Sequence, residues 1–255
     1  MPAVERERRG RVEVLTINRP EARNAINGDV TAAMTAALDD IEQDDGCLAV
    51  VLTGAGDKAF SAGMDLKAFA SGQGANIIDA GGFAGITRRA FPKPIVAAVN
   101  GAALAGGCEI VLACDLVVAA EHAVFGIPEV KRGLIAGAGG LIRLPRRLPR
   151  AVALELALTG EPMDATRAYG LGLVNRVVPG AVVVEAAVAL ARTIADNAPL
   201  AVRMSKKVIV ETADMAEEDA WKLNDSTFST IFTSADAMEG AVAFAQKRAP
   251  NWQGR

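Results

Sequence analysis

The sequence has one histidine, His122, and only three cysteines, Cys47, Cys108 and Cys114. No two cysteines stand at zinc-ligand spacing and the histidine is alone, so a transition-metal site is not expected. The cysteines are odd in number and sit among apolar neighbours, which reads as reduced core residues of a cytosolic protein rather than a disulfide framework. There is no basic excess: the formal charge is −3 over 255 residues, and no basic patch is large enough to suggest nucleic acid. The start, "MPAVERERRG", is charged and lacks the apolar stretch of a secretory signal. No apolar run is long enough to span a bilayer. Aromatic residues make up only 4%. A soluble, cytoplasmic α/β chain fits what remains, since 51% hydrophobic and 22% charged residues can supply one sizeable core.

The periodicity supports that class. "RVEVLTI" (Arg11 to Ile17) alternates as a half-buried strand does. Val30, Met34, Ala37, Leu38 and Ile41 fall on one helical face. "CLAVVLTG" and "PIVAAVNG" are continuous apolar runs of strands buried on both faces, and "DLVVAA", "AVFGI" and "LVNRVV" read as further strands. A helix is expected from about Gly106 to Ala113, and helix-like sequence follows "GAGG" at Gly137 to Gly140. Strand and helix alternate, as in a largely parallel sheet with right-handed crossovers. Lys67 to Gly82, with Gly72, Gly74, Gly81 and Gly82, has little regular signal and reads equally as a substrate-facing segment or a plain linker. From about Ala181 the pattern is helical, broken at Asn197-Ala198-Pro199. The expected division is a core over residues 1–195 and a helical region over 196–255.

Nucleotide motifs fail. No G-x-x-x-x-G-K-[ST] is present, and "GAGGLI" misses the last glycine of a dinucleotide fingerprint. Ser61 in "AFSAGMD" resembles a nucleophile elbow, but Ala59 stands where glycine is needed and His122 is the only available base. The glycines have another use. "SAGMD" and "LAGGCE" can each expose a backbone N–H, and the second opens a helix whose first amides are unsatisfied and partly positive. Two such donors from two loops would make an oxyanion hole, although each glycine pair alone is ordinarily just a turn. Glu109 and Glu129 both sit in apolar surroundings. Burial beside one another would raise their pKa toward neutrality, as general acid–base work needs; a structural ion pair is the other reading, with Lys131 and Arg132 at hand for Glu129.

Taken together and in order, "AFSAGMDL", "NGAALAGGCEIVLACDL" and "FGIPEVKRGLIAGAGG" closely resemble the crotonase family, the enoyl-CoA hydratase/isomerase superfamily. The likeness runs from "LTINRPEARNAIN" to "AFAQKRAPNWQGR", almost the whole chain. It implies a spiral of ββα units followed by a C-terminal helical trimerisation region, assembled as a trimer or dimer of trimers. It implies an acyl-CoA thioester as substrate and no separate cofactor. The oxyanion amides would be those of Met64 and Gly106, with Glu109 and Glu129 as the catalytic acids, as in hydratases. The Ala62 carbonyl would accept from the adenine amino group, with Asp65 and Lys67 just beyond it in the same CoA-binding set. Arg23 would lie near the pyrophosphate, and Phe244 and Lys247 would reach the CoA of a neighbouring subunit. The implied reaction is reversible syn hydration of a 2-trans-enoyl-CoA; an enoyl-CoA isomerase is the related alternative. "SAGMDLKAFASG", "GGFAG" and "LPRRLPRA" also look like the branch that hydrates crotonobetainyl-CoA, while "LAGGCE" departs from the three glycines and Phe-like residue that branch tends to show. A quaternary ammonium substrate favours aromatic rings, and Phe69, Phe83 and Phe91 are the only ones near the expected acyl loop.

Overall fold

The computed structural model describes residues 1–70 and 76–255; Gly72 and Gly74 of the irregular segment lie outside them. The chain runs β1 (Val4–Arg9), β2 (Val12–Ile17), α1 (Gly28–Gln43), β3 (Ala49–Gly54), β4 (Ala59–Ser61), α2 (Leu66–Ala70), β5 (Ile78–Asp79), β6 (Gly82–Phe83), β7 (Ile95–Val99), β8 (Ala102–Leu104), α3 (Gly106–Ala113), β9 (Leu116–Ala120) and β10 (Val124–Gly126). It continues with α4 (Gly140–Arg147), α5 (Arg150–Thr159), β11 (Met163–Asp164), α6 (Ala165–Gly170), β12 (Arg176–Val178), α7 (Val183–Ala195), α8 (Pro199–Glu211), α9 (Glu217–Phe232) and α10 (Ala235–Gln246).

One sheet has the order β1-β2-β3-β7-β9-β12, parallel throughout except for the β1–β2 hairpin. A second has the order β11-β10-β8-β4, in which β8 pairs in parallel with both β4 and β10. The apolar runs read as buried strands are so: every residue of β3 and β7 is buried. α7 packs across β2, β3, β7 and β9. Each buried Val, Leu or Ile there contributes roughly 1.5–3 kcal/mol. In α1 the five apolar residues of the expected face are all buried, and the Asn27 side chain caps the helix by accepting from Val30 N–H at 3.1 Å.

The expected strand at Arg11 to Ile17 is β2, and its Glu13 is buried because Arg6 and Arg8 of β1 reach its carboxylate at 2.9 and 3.3 Å. β1, whose residues looked like a mere charged terminus, is an edge strand whose charges are paired and discourage pairing with another chain. The helix-like stretch after Gly140 is two helices, divided at Leu148-Pro149. The segment from Lys67 to Gly82, which showed little regular signal, includes β5 and overlaps the ends of α2 and β6.

After β12 only helices remain. Asp236 on α10 accepts from the Gln253 and Gly254 amides at 2.6 and 3.0 Å and so fastens the C-terminal tail to that helix. Trp252 Nε1–H donates to the Asp196 carbonyl at 2.9 Å. In α8 to α10, Ile209, Trp221, Phe228, Phe232 and Phe244 are exposed. No helix among the described residues is long and apolar enough to cross a membrane.

Candidate active site

The site is built where β4 and α3 meet. α3 opens at Gly106, and no protein acceptor takes its N–H among the described residues. Its predecessor, Ala105, has φ 51° and ψ −129°, a conformation unfavourable for a residue with a Cβ. Ala105 is held there by its N–H···O bond to the Gly126 carbonyl at 2.9 Å. This is where the chain has Ala beside the two glycines of "LAGGCE". The strain sits at the residue that aims the first amide of the helix.

The facing turn follows β4. Gly63 has φ +86°, and a Cβ there would lie 2.7 Å from Gly106 N and 2.9 Å from Ala105 Cβ. The turn that carries Met64 therefore lies directly against the start of α3. Gly107 is as tightly placed: a Cβ would meet the Ser61 carbonyl oxygen at 2.1 Å. Met64 is held by its neighbours, since Ile26 N–H donates to the Gly63 carbonyl at 2.8 Å and Asp65 N–H to the Ile26 carbonyl at 2.9 Å. The Met64 N–H itself, like that of Gly106, has no acceptor among the described residues. Phe83 completes the wall, because a Cβ on Gly106 would come 2.5 Å from its ring.

Ser61 is occupied structurally. Its Oγ donates to the Asn24 carbonyl at 2.8 Å and accepts from Gly63 N–H at 3.1 Å. His122 Nε2 lies 3.0 Å from the Asp57 carbonyl and 3.2 Å from that of Asn100, so it is engaged with backbone away from Ser61. Asn24, which sequence reading passed over, organises this turn. It is fully buried with φ 55°, its side-chain amide donates to the Ala55 and Ala59 carbonyls at 3.0 and 2.7 Å, and its Oδ1 accepts from Arg19 N–H at 3.1 Å. Asn24→Ala strands all three partners and should lower unfolding stability by about 2–4 kcal/mol, read from the urea midpoint. A loss under about 1 kcal/mol would show that solvent replaces these bonds.

Glu109 lies in the first turn of α3 and is buried, 3% exposed. Its Oε1 accepts from Gly140 N–H, at the start of α4, at 2.8 Å. Gly140 permits this approach, since a Cβ there would press on Ala136 and on Glu109 itself. Burial raises the Glu109 pKa; amide bonds from Gly140 and Ala138 and the charge of Arg143 oppose the rise. Glu129 lies in the 3-10 turn Pro128–Arg132 after β10. Burial pushes it up to about 7, and the charge of Glu109 adds to the rise, so the two carboxyls feel one another. The Glu129 Oε2 is buried without a hydrogen-bond partner. The ion-pair alternative fails for Glu129: Lys131 pairs with Glu161 instead, at 2.5 Å, and no cation stands within ion-pair distance of Glu129 among the described residues.

The residues expected to hold CoA divide into groups. Ala62 N–H donates to the Arg23 carbonyl at 3.0 Å, so those two segments adjoin; the Ala62 carbonyl has no donor among the described residues. Asp65 is committed to the fold: Oδ1 accepts from Lys67 and Ala68 N–H, both at 3.1 Å, and Oδ2 pairs with Arg19 at 2.9 Å. Lys67 is exposed and makes no ion pair among the described residues. Phe244, 89% exposed, and Lys247, which ends α10 at φ 53°, make no hydrogen bond or ion pair to the Ala62–Asp65 or Gly106–Glu109 segments within the chain. A cavity of about 550 Å³ lined by Arg11, Lys93, Arg203 and Trp252 includes none of these residues.

The family model for enoyl-CoA hydratase/isomerase matches residues 7–255. The chain is 41% identical to the carnitinyl-CoA dehydratase of Salmonella typhi, over 97% of each chain. Its structure is similar to an enoyl-CoA hydratase from Mycobacterium tuberculosis H37Rv, with TM-score 0.96 and 48% identity over the whole of both chains. It is also similar to a carnitinyl-CoA hydratase from Mycobacterium avium, with TM-score 0.81, 53% identity and full coverage of both. With its ββα units, its C-terminal helices, a buried glutamate at the start of α3 and a half-buried one after β10, the chain is an enzyme belonging to the enoyl-CoA hydratase/isomerase family.

Proposed function

We propose that the protein is an enoyl-CoA hydratase that adds water reversibly and syn across a 2-trans-enoyl-CoA. The observation that carries this reading is a pair of mutually interacting carboxyls, Glu109 buried and Glu129 half-buried with one oxygen unpartnered, and a start of α3 whose first amide has no acceptor among the described residues. The thioester oxygen accepts from Met64 and Gly106 N–H as negative charge develops on it. Glu109, ionised and fixed by Gly140, takes a proton from a water held between the two acids, and the hydroxide so formed bonds to C3. Glu129, protonated because burial and Glu109 hold its pKa near 7, gives its proton to C2. A proton leaving Glu109 and one returning to Glu129 reset the pair.

The CoA part lies along Ala62 and Arg23, with Lys67 free to meet a phosphate and Asp65 keeping that turn in shape. Phe244 and Lys247 act on a neighbouring subunit's CoA in a trimer or dimer of trimers, which their exposure and the exposed apolar side chains of residues 196–255 support. Crotonyl-CoA is the test substrate: the conjugated enoyl-thioester absorbance should decay to the hydration equilibrium. An isomerase would instead create that absorbance from a 3-enoyl-CoA, and an enzyme inert toward crotonyl-CoA would overturn the reading.

The identities to carnitinyl-CoA enzymes favour a second substrate, crotonobetainyl-CoA. Of the three phenylalanines, Phe83 lies against Gly106, Phe69 is exposed, and Phe91 is buried with Arg89 and Lys206 over its ring. One ring is a thin cage for a quaternary ammonium. A short unbranched enoyl chain is therefore the first reading, and a panel containing both thioesters decides between them.

A further inference from the structure

Arg143 stands on the first turn of α4, half-buried, and no carboxylate lies within ion-pair distance of it among the described residues. A cation placed so loses hydration without an ion pair to replace it; burial lowers its pKa, and neighbouring Arg147 lowers it further. Its bonds explain the placement. One terminal nitrogen donates to the Thr87 carbonyl at 2.5 Å and the other lies 3.5 Å from the Ala138 carbonyl. Ala138 belongs to the loop whose Gly140 amide holds Glu109. Thr87 Oγ1 accepts from Phe83 N–H at 2.9 Å, and the Phe83 ring lies against Gly106. Gly139 leaves the room needed: a Cβ there would fall 2.2 Å from the guanidinium.

We infer that Arg143 is a positioning residue, tying the loop that holds Glu109 to the segment that carries Phe83, so that the base and the wall beside the thioester keep one geometry. This rests on the reading of Glu109 as the base. A planar guanidinium can span two carbonyls from different segments, which an ammonium cannot do with the same fixed geometry. Its charge also acts on Glu109, alongside Glu129 from the turn after β10 and the backbone amides of the Gly137–Gly140 loop.

The test uses the full chain with Arg143→Gln and Arg143→Lys. Thermal melts establish that each variant is folded. Carboxyl NMR of ¹³C-glutamate protein, with Glu109→Gln for assignment, follows the Glu109 titration without needing turnover. In Arg143→Gln that titration should move up by about half a unit or more, and kcat with crotonyl-CoA should fall about tenfold or more with KM changed far less. In Arg143→Lys the titration should return toward the parent value while kcat stays low. A folded Arg143→Gln with an unmoved titration and kcat within about twofold of the parent overturns the inference, as does a lowered melting point as its only effect. A parent protein that hydrates nothing, yet shows the titration shift, sinks the hydratase reading and supports the tie.

Discussion

Glu109→Gln should lower kcat for crotonyl-CoA hydration by roughly two or more decades, and Glu129→Gln should do the same, while acyl-CoA still binds. The two substitutions are close to isosteric, so their effects are chemical. A glutamine at 109 keeps an oxygen for the Gly140 amide, which preserves the start of α4 but removes the proton acceptor. At 129 the side chain has no protein partner for Oε2 to lose, so the fold has little reason to object. The pH profile separates the two roles. The acid must be protonated to act, so with Glu129 near 7 the hydration rate should fall as pH climbs through about 7. The base must be ionised, so the acidic limb belongs to Glu109, whose rise through burial is held back by the Gly140 and Ala138 amides. Glu129→Gln should remove the alkaline limb from whatever activity remains. A variant at either position that keeps near-parental turnover would show that its carboxyl does not carry the proton.

The sequence displayed much of this arrangement because some of its physics is local. Seamless apolar runs such as Ala49 to Gly54 have no plausible place except a sheet covered on both faces, and β3 is there. Glu109 could be singled out because a carboxylate among Cys108, Ile110 and Val111 is costly without a purpose. What escaped was what depends on partners far along the chain. The burial of Glu13 depends on arginines of another strand. β8 is only three residues long, and its identity comes from β4 and β10 on either side. Asn24 and Arg143 act through bonds to Ala59 and Thr87, separations at which no periodicity speaks. The left-handed φ of Ala105 is invisible in a sequence, since alanine advertises no strain. The glycine turns suggested exposed amides and the family resemblance pointed to those of Met64 and Gly106, but their lack of acceptors among the described residues is a property of the folded turns alone.

Gly106→Ala should lower kcat/KM by on the order of 10²–10³, because the new methyl cannot coexist with Phe83 unless the first amide of α3 or the ring shifts. The Cβ would meet two ring carbons at 2.5 and 2.7 Å, well inside contact distance. Phe83 is only 5% exposed, and its amide is bonded to Thr87 Oγ1, so the ring has little freedom to retreat. The strained Ala105 also leaves the backbone few alternatives. Truncating the ring isolates that term. In a Phe83→Ala background the extra methyl has room, and Gly106→Ala should then cost at least about tenfold less than in the parent. Gly107→Ala supplies the contrast, since its Cβ would strike the Ser61 carbonyl, which is backbone. No change at Phe83 can relieve that contact, so the Gly107 variant should lose stability equally in both backgrounds. If the Gly106 loss were the same with and without the Phe83 ring, crowding would not be its cause. The Gly106 amide would then owe its direction to α3 and Ala105 alone, and Phe83 would be free to vary with the acyl chain it faces.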